Sequence, residues 1–241
     1  MTATAARPAA WRRLLRHRLA WASLAFLSVM LLLALAAPLI AELRDVDPTQ
    51  TDLFRRFEGP SAQHWLGTDD LGRDLFQRLL DGGRVSLLVG ISGALLSAIL
   101  GATIGVVAGY LGGRLDAFLM RLTDGVISLP LLPLLIVLAA VDPRKLGIPA
   151  EIAQSEMFSL YRIVVIVALT GWTTVARLVR AETLSLKARD FTRAAVALGA
   201  RPQRIMFRHI LPNTAGTLVV ATTMSVGTLI LFESTLSFLG L

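Results

Sequence analysis

Apolar runs of bilayer length alternate with short polar stretches along the chain. Residues 19–41, LAWASLAFLSVMLLLALAAPLIA, are uncharged throughout, and 20 or so apolar residues suffice to cross a hydrocarbon core of about 30 Å. A cleaved signal peptide is the rival reading, with ALA at 34–36 as the cut. A signal core is only about 7–15 residues long, so the longer run predicts a retained anchor. Residues 42–84 are polar, and VDPTQTD and EGPS mark turns. LGTDDLGRDLFQRLLDGG then predicts a short amphipathic helix. Thr68 or Asp69 would cap it, Asp74 and Arg78 would pair at i,i+4, and Gly82-Gly83 would end it.

Residues 85–113 carry no charge and predict a second span. Within it Gly93, Ser97, Gly101, Gly105 and Gly109 recur at every fourth position. That puts small side chains on one face, where another helix can approach closely. A third span over about 116–141 holds Arg121 and Asp124 at i,i+3, and the spacing predicts that they pair near one interface. Pro130 and Pro133 predict a bend or break within it. A polar linker, 142–162, precedes a fourth span over about 162–180, uncharged from 163 to 176. A fifth begins near Asn213 and is uncharged to Phe232, where Glu233 interrupts it. The pattern predicts an all-α integral membrane protein with five transmembrane helices. It divides into a basic segment 1–18, helix 1 over 19–41, a loop 42–84 and a core 85–241.

Composition agrees. Of 241 residues 54% are hydrophobic and 17% charged, with a mean hydropathy of +0.65, which excludes an ordinary soluble domain. The net charge is +7. Nucleic acid is one partner for such charge, but the arginines stand beside apolar spans, as the positive-inside rule expects. Residues 1–18 hold five basic groups and no acid, 177–212 hold eight basic and two acidic, and 42–84 hold nine acidic and six basic. One alternating topology fits every loop. The amino terminus, 112–116 and 177–212 lie inside, and 42–84 and 142–162 lie outside. No cysteine is present, so disulfides and thiolate metal sites are excluded.

The most basic stretch, RAAVALGARPQRIMFRHILPN at 193–213, predicts two short helices with a corner. The first runs over 187–198 with Phe191, Ala194, Ala195 and Leu198 on one face. Gly199 suits a C′ position that needs a positive φ, and Pro202 suits the first turn of the second helix. Pro212 closes the unit. A helix pair resting on anionic lipid explains the arginines. It does not explain the small Ala194-Ala195 patch beside a sharp corner, which suits docking into a groove of another protein.

At these residues the sequence resembles the EAA loop of ABC-importer permeases, with Ala194-Ala195, Gly199 and Leu211-Pro212 on the motif. Arg193 stands where that family has Glu, and His209 where Ile is usual. FRHILPN, HWLGTDDLGRDLFQRLLDGGRVSLLVG (64–90) and ESTLSFLGL (233–241) resemble the dipeptide/oligopeptide/nickel permease subfamily. The resemblance implies the type I ABC importer permease fold in a bacterial inner membrane and a coupling helix that seats on a cytoplasmic ATPase. It implies a second homologous permease, two ATPase subunits that bind the ATP, and an extracytoplasmic solute-binding protein. It implies alternating access for short peptides, nickel complexes or another small solute. The family ends after a sixth span, whereas five spans from an inside start end outside, so the natural protein is expected to be longer by one loop and one span.

The sequence shows no catalytic set, cofactor motif or metal motif. His17, His64 and His209 lack ligand spacing, and GxxxxGK[ST] is absent, so ATP chemistry is expected in partners. An intramembrane enzyme would need a nucleophile and base within the spans, and a stand-alone channel would need no docking loop. Glu233 is a candidate for the solute pathway or for a solvated, motif-stabilising role, because intramembrane acids are costly. Arg121 and Asp124 are candidates for a pathway role or for a pair that fixes helix position. Asp69 and Asp70 suit capping and loop roles better than a cation site, on a loop open to a binding protein.

Overall fold

The computed structural model describes residues 18–239. Among the described residues four helices are long and apolar enough to cross a membrane, five if one bent pair counts as a span. The chain forms two compact units, Met1–Leu87 and Leu88–Leu241.

In the first unit, α1 (Arg18–Arg44) exposes nearly all of its apolar surface and buries only Ala34 and Ala37. Such a helix is stable in lipid, where outward Leu and Phe cost nothing and the backbone bonds itself. The amphipathic helix expected at the end of the polar segment does not form as a separate element. Gly67 and Gly72 turn the chain at φ +78° and +76°. Asp74, rather than Thr68 or Asp69, then caps α2 (Leu75–Leu111), its Oδ1 accepting the Gln77 N–H at 2.8 Å. Arg78 pairs with Asp69 rather than Asp74. α2 runs through Gly82-Gly83 without a stop, because ending a helix at the membrane would orphan its last carbonyls.

Asp74 gathers the unit. Its Oδ2 lies 3.0 Å from Arg44 Nη2 and 3.0 Å from His64 Nδ1. The Arg44 guanidinium also lies 4.6 Å from the centre of the Trp65 ring and donates to the Gln63 carbonyl at 2.8 Å. Arg55 Nη1 sits 3.3 Å from His64 Nε2. A guanidinium only donates, so Nε2 accepts and the imidazole proton sits on Nδ1, facing the carboxylate. Burial opposes ionisation of Asp74, but hydrogen bonds from Arg44, the Gln77 N–H and His64 outweigh it and hold its pKa below the usual range. Asp69 is held well below that range too. Burial again opposes ionisation, and the backbone N–H groups of Arg73 and Leu71 and the guanidiniums of Arg73 and Arg78 win.

The second unit contains the rest of α2, then α3 (Gly113–Ser128) and α4 (Leu131–Ala140), bent by 88° from one another. The break follows from Pro130, which lacks an N–H, so Leu129 N turns back to Val126 O at 3.3 Å. The expected linker is shorter than 142–162. α5 (Glu156–Lys187) starts at Ser155, whose Oγ accepts the Phe158 N–H at 3.2 Å. After α6 (Asp190–Ala197), residues Pro202–Phe238 form one long helical run. Pro212 does not close it. A π-helical turn, Ile205–Ile210, and a 3-10 turn, Leu211–Thr214, absorb the proline and lead into α7 (Ala215–Phe238).

The stripe of small residues on α2 meets α5. A Cβ at Gly101 would lie 2.5 Å from the Trp172 carbonyl oxygen, and one at Gly105 would lie 2.5 Å from that of Ala176. At Gly109 it would lie 2.8 Å from Thr183 Cβ. Ser97 Oγ reaches the Ala168 carbonyl at 3.4 Å. The partners advance in step from Ala168 to Thr183, so α2 and α5 run parallel. Parallel packing is what the alternating topology requires of its second and fourth spans.

Candidate functional site

The corner at 189–214 is built from helix-terminus chemistry. Thr192 Oγ1 donates to the Leu186 carbonyl at 2.8 Å and closes the end of α5. Gly199 ends α6 at φ +75°, with its N–H on Val196 O at 2.9 Å and the Ala200 N–H on Ala195 O at 3.0 Å. Pro202 occupies the first turn of the next helix.

The five motif residues divide between two faces. Ala195 is buried beside Val106, Val179, Ile205 and Ile210, and Leu211 packs on the same cluster. Ala194, Gly199 and Pro212 are exposed. Leu198 is 88% exposed, and Phe191 and Val196 are also exposed. A cleft of about 630 Å³ opens beside the corner, lined by Ala195, Leu198, Gly199, Ala200, Arg201, Arg204 and His209. It combines bare apolar side chains with guanidiniums.

Arg121 and Asp124 do not pair. Asp124 accepts from Arg177 of α5 at 2.5 Å, and both are exposed. Among the described residues no ion pair forms at Arg121. A second link joins the same helices, with Asp116 bound bidentately by Arg180 at 2.5 and 2.6 Å. The i,i+3 spacing of Arg121 and Asp124 suggested a local pair. The long-range partners, Arg177 and Arg180, are themselves i,i+3 on α5. The later arginine takes the earlier acid, so α3 and α5 are antiparallel. Lys187 Nζ donates to the Tyr110 carbonyl at 2.6 Å and ties the end of α5 to the end of α2.

Glu233 is buried in α7, with Leu236 fully buried one turn on and the Ser234 hydroxyl 3.5 Å from its Oε2. It stands far along the chain from the corner, at the other end of the long helical run. Among the described residues no group of His, Asp and Glu could hold a metal ion. Asp69 and Asp70 are neighbours, but Asp69 is committed to Leu71, Arg73 and Arg78.

Residues 101–241 match the model of the binding-protein-dependent transport system inner membrane component family. The chain belongs to that family. Residues 9–60 match the N-terminal TM domain of oligopeptide transport permease C. The oligopeptide transport system permease protein OppC of Bacillus subtilis is 35% identical over 93% of this chain and 68% of its own length. The dipeptide transport system permease protein DppC of the same organism is 38% identical over 96% and 67%. OppC of Escherichia coli K12 is 39% identical over 95% and 71%. The chain is therefore a multi-pass membrane transport permease of the type I ABC fold, and its corner lies in the part matched by the family model.

Proposed function

We propose that this permease is one of two related membrane subunits of an importer for di- and oligopeptides in a bacterial inner membrane. Two cytoplasmic ATPase subunits bind and hydrolyse the ATP, and an extracytoplasmic binding protein delivers the peptide. The observation that carries this reading is the corner at Gly199, with bare Leu198 and an arginine-edged cleft beside it. A side chain that apolar, standing out from a membrane protein's polar end, fits a groove in another protein better than water. The peptide assignment rests on the relatives' names and on the oligopeptide permease match over residues 9–60.

The corner and the basic amino terminus face the cytoplasm, and the polar segment with Asp74 faces outward. Charge supports this orientation, and so do the parallel α2 and α5 and the antiparallel α3. ATP-driven closure of the ATPases would push on α6, whose buried Ala195 passes the motion to the cluster around Ile205 and Ile210.

Gly199→Val tests coupling. A β-branched residue in the left-handed region costs roughly 1–2 kcal/mol, and a Cβ there meets nothing within 4 Å, so the strain is purely conformational. Peptide uptake and peptide-stimulated ATP hydrolysis should fall while the assembled complex is still recovered. Unchanged stimulation would remove the coupling role. Cysteines at the exposed Ala194 or Leu198 should cross-link to an ATPase subunit, and labelling by lipid-phase reagents alone would favour a helix lying on the membrane. The ligand retained by the co-purified binding protein decides between a peptide and a nickel complex or other solute.

A further inference from the structure

The second unit contains another cleft, of about 440 Å³, where the break between α3 and α4 faces the middle of α5 and α7. That size lies in the range of small-molecule sites, about 300–1,000 Å³. Its wall carries no formal charge. Leu129 and Leu131 bring the break to it, α5 contributes Thr170, Thr173 and Thr174, and α7 contributes Ser225 and Thr228.

The polar groups at this wall have a definite sense. Thr170 donates its hydroxyl proton to Val167 O at 2.9 Å and Thr173 to Thr170 O at 3.2 Å. Ser225 donates to Ala221 O at 2.9 Å and Thr228 to Met224 O at 3.4 Å. Each of these four protons is spent on its own helix, so these four oxygens have only lone pairs left to offer. The break adds main-chain groups of both kinds. Leu129 and Leu131 stand on the wall on either side of Pro130, which has no N–H of its own, and the first N–H of α4, at Leu131, has no preceding helical turn to bond. Hydroxyl and carbonyl oxygens for N–H groups, a few N–H groups for carbonyls and no charge together match a polypeptide main chain. The rest of the wall is apolar, with Leu129, Leu229 and Phe232 on it, so nothing there would select or reject a charged side chain.

We propose that this cleft is the surface over which this subunit passes the solute, and that it recognises the peptide main chain through its N–H groups while ignoring side-chain charge. The inference rests on the peptide-importer reading. Uncharged contacts of this strength let a substrate bind and leave, whereas a fixed carboxylate or guanidinium would hold some peptides and repel others.

The test uses the full importer in vesicles with its binding protein. Thr170→Val, Ser225→Ala and Thr228→Val remove hydroxyls at nearly constant volume. Each should raise the KM for uptake of an uncharged tripeptide about threefold to tenfold, the worth of one neutral hydrogen bond. Peptide affinity of the binding protein and basal ATP hydrolysis should not change. Wild type should transport the tripeptide better than its analogue N-methylated at the internal amides, and the triple variant should narrow that ratio. Because the binding protein is common to both assemblies, the change in ratio reads the cleft alone. The chain has no cysteine, so Ser225→Cys and Thr228→Cys can be probed for water access. Labelling by a membrane-impermeant sulfonate reagent during turnover supports a solute path. Labelling only by lipid-phase reagents, or cross-linking only to the second permease, overturns it, as does an unchanged KM. If the wild-type assembly takes up no peptide, the importer assignment fails instead, a result distinct from normal uptake that is indifferent to the hydroxyls.

Discussion

The polar segment around Asp74 and the contact between α2 and α5 do the same mechanical job with opposite chemistry. Around Asp74, the side chains of Arg44 and His64 and the main-chain N–H of Gln77 converge on one carboxylate across as many as 30 residues of sequence. Between α2 and α5 the side chains are removed, and glycines let one backbone lie against another. Next to water a charge can be desolvated partway and repaid by several hydrogen bonds. In hydrocarbon there is no hydrophobic gain from association, and close van der Waals contact takes its place. The first arrangement should be intolerant of losing one atom group, the second of gaining one.

Asp74→Ala should be the most damaging change. It strands Arg44, whose side chain is only 11% exposed, and removing one partner of a buried pair costs about 3–5 kcal/mol. Limited proteolysis of the purified protein should then cut within residues 45–74, and unchanged protection would sink the idea that Asp74 organises the segment. Gly105→Val comes next. Its Cβ would stand 2.5 Å from a backbone oxygen that cannot move aside, and overpacking of this kind costs about 1–3 kcal/mol. Thermal unfolding in detergent should show a lowered Tm, while Gly227→Ala, which meets nothing within 4 Å, should leave it unchanged. Equal effects at Gly105 and Gly227 would mean that the stripe matters only as flexible helix.

The smallest effect, and the sharpest contrast, is with pH. Asp69 and Asp74 have pKa values lowered from the ordinary 3.8. A carboxyl depressed in the fold contributes stability that is full above its unfolded pKa and is lost as pH falls through its folded value. Hydrogen exchange at 45–74 should therefore be flat from pH 7 to pH 5, once corrected for intrinsic rates, and protection should fail only below about pH 4. The α2–α5 contact should show no such step. Loss of protection already at pH 6 would remove the two carboxyls as the cause.

These residues also explain what could be read from the chain. The stripe on α2 was legible because a four-residue period of small side chains has one physical use. Its partner was not, since Trp172, Val175 and Ala176 are ordinary residues of any apolar helix. Gly199 and Pro202 announced the corner because each is required there by its backbone. Gly82-Gly83 misled, because the need to keep carbonyls bonded on entering the membrane overrode the local stop signal. Pro212 misled for a related reason, the wide turn before it having taken up the mismatch. Asp124 found a partner 53 residues away that local spacing could not rank above Arg121. The hydroxyl-lined cleft drew on three separated segments, and no window along the sequence contains it.

The wide turn at Ile205–Ile210 sits near the short end of one long helical run, where a wrist would have the longest arm beyond it. Beyond it α7 extends for 24 residues, an arm of about 36 Å at 1.5 Å per residue. A tilt of about 5° at the wrist would swing the far tip, where Glu233 sits, by about 3 Å. On that geometry a small rotation near Ile210 and a displacement of water-molecule width near Glu233 would be one and the same movement.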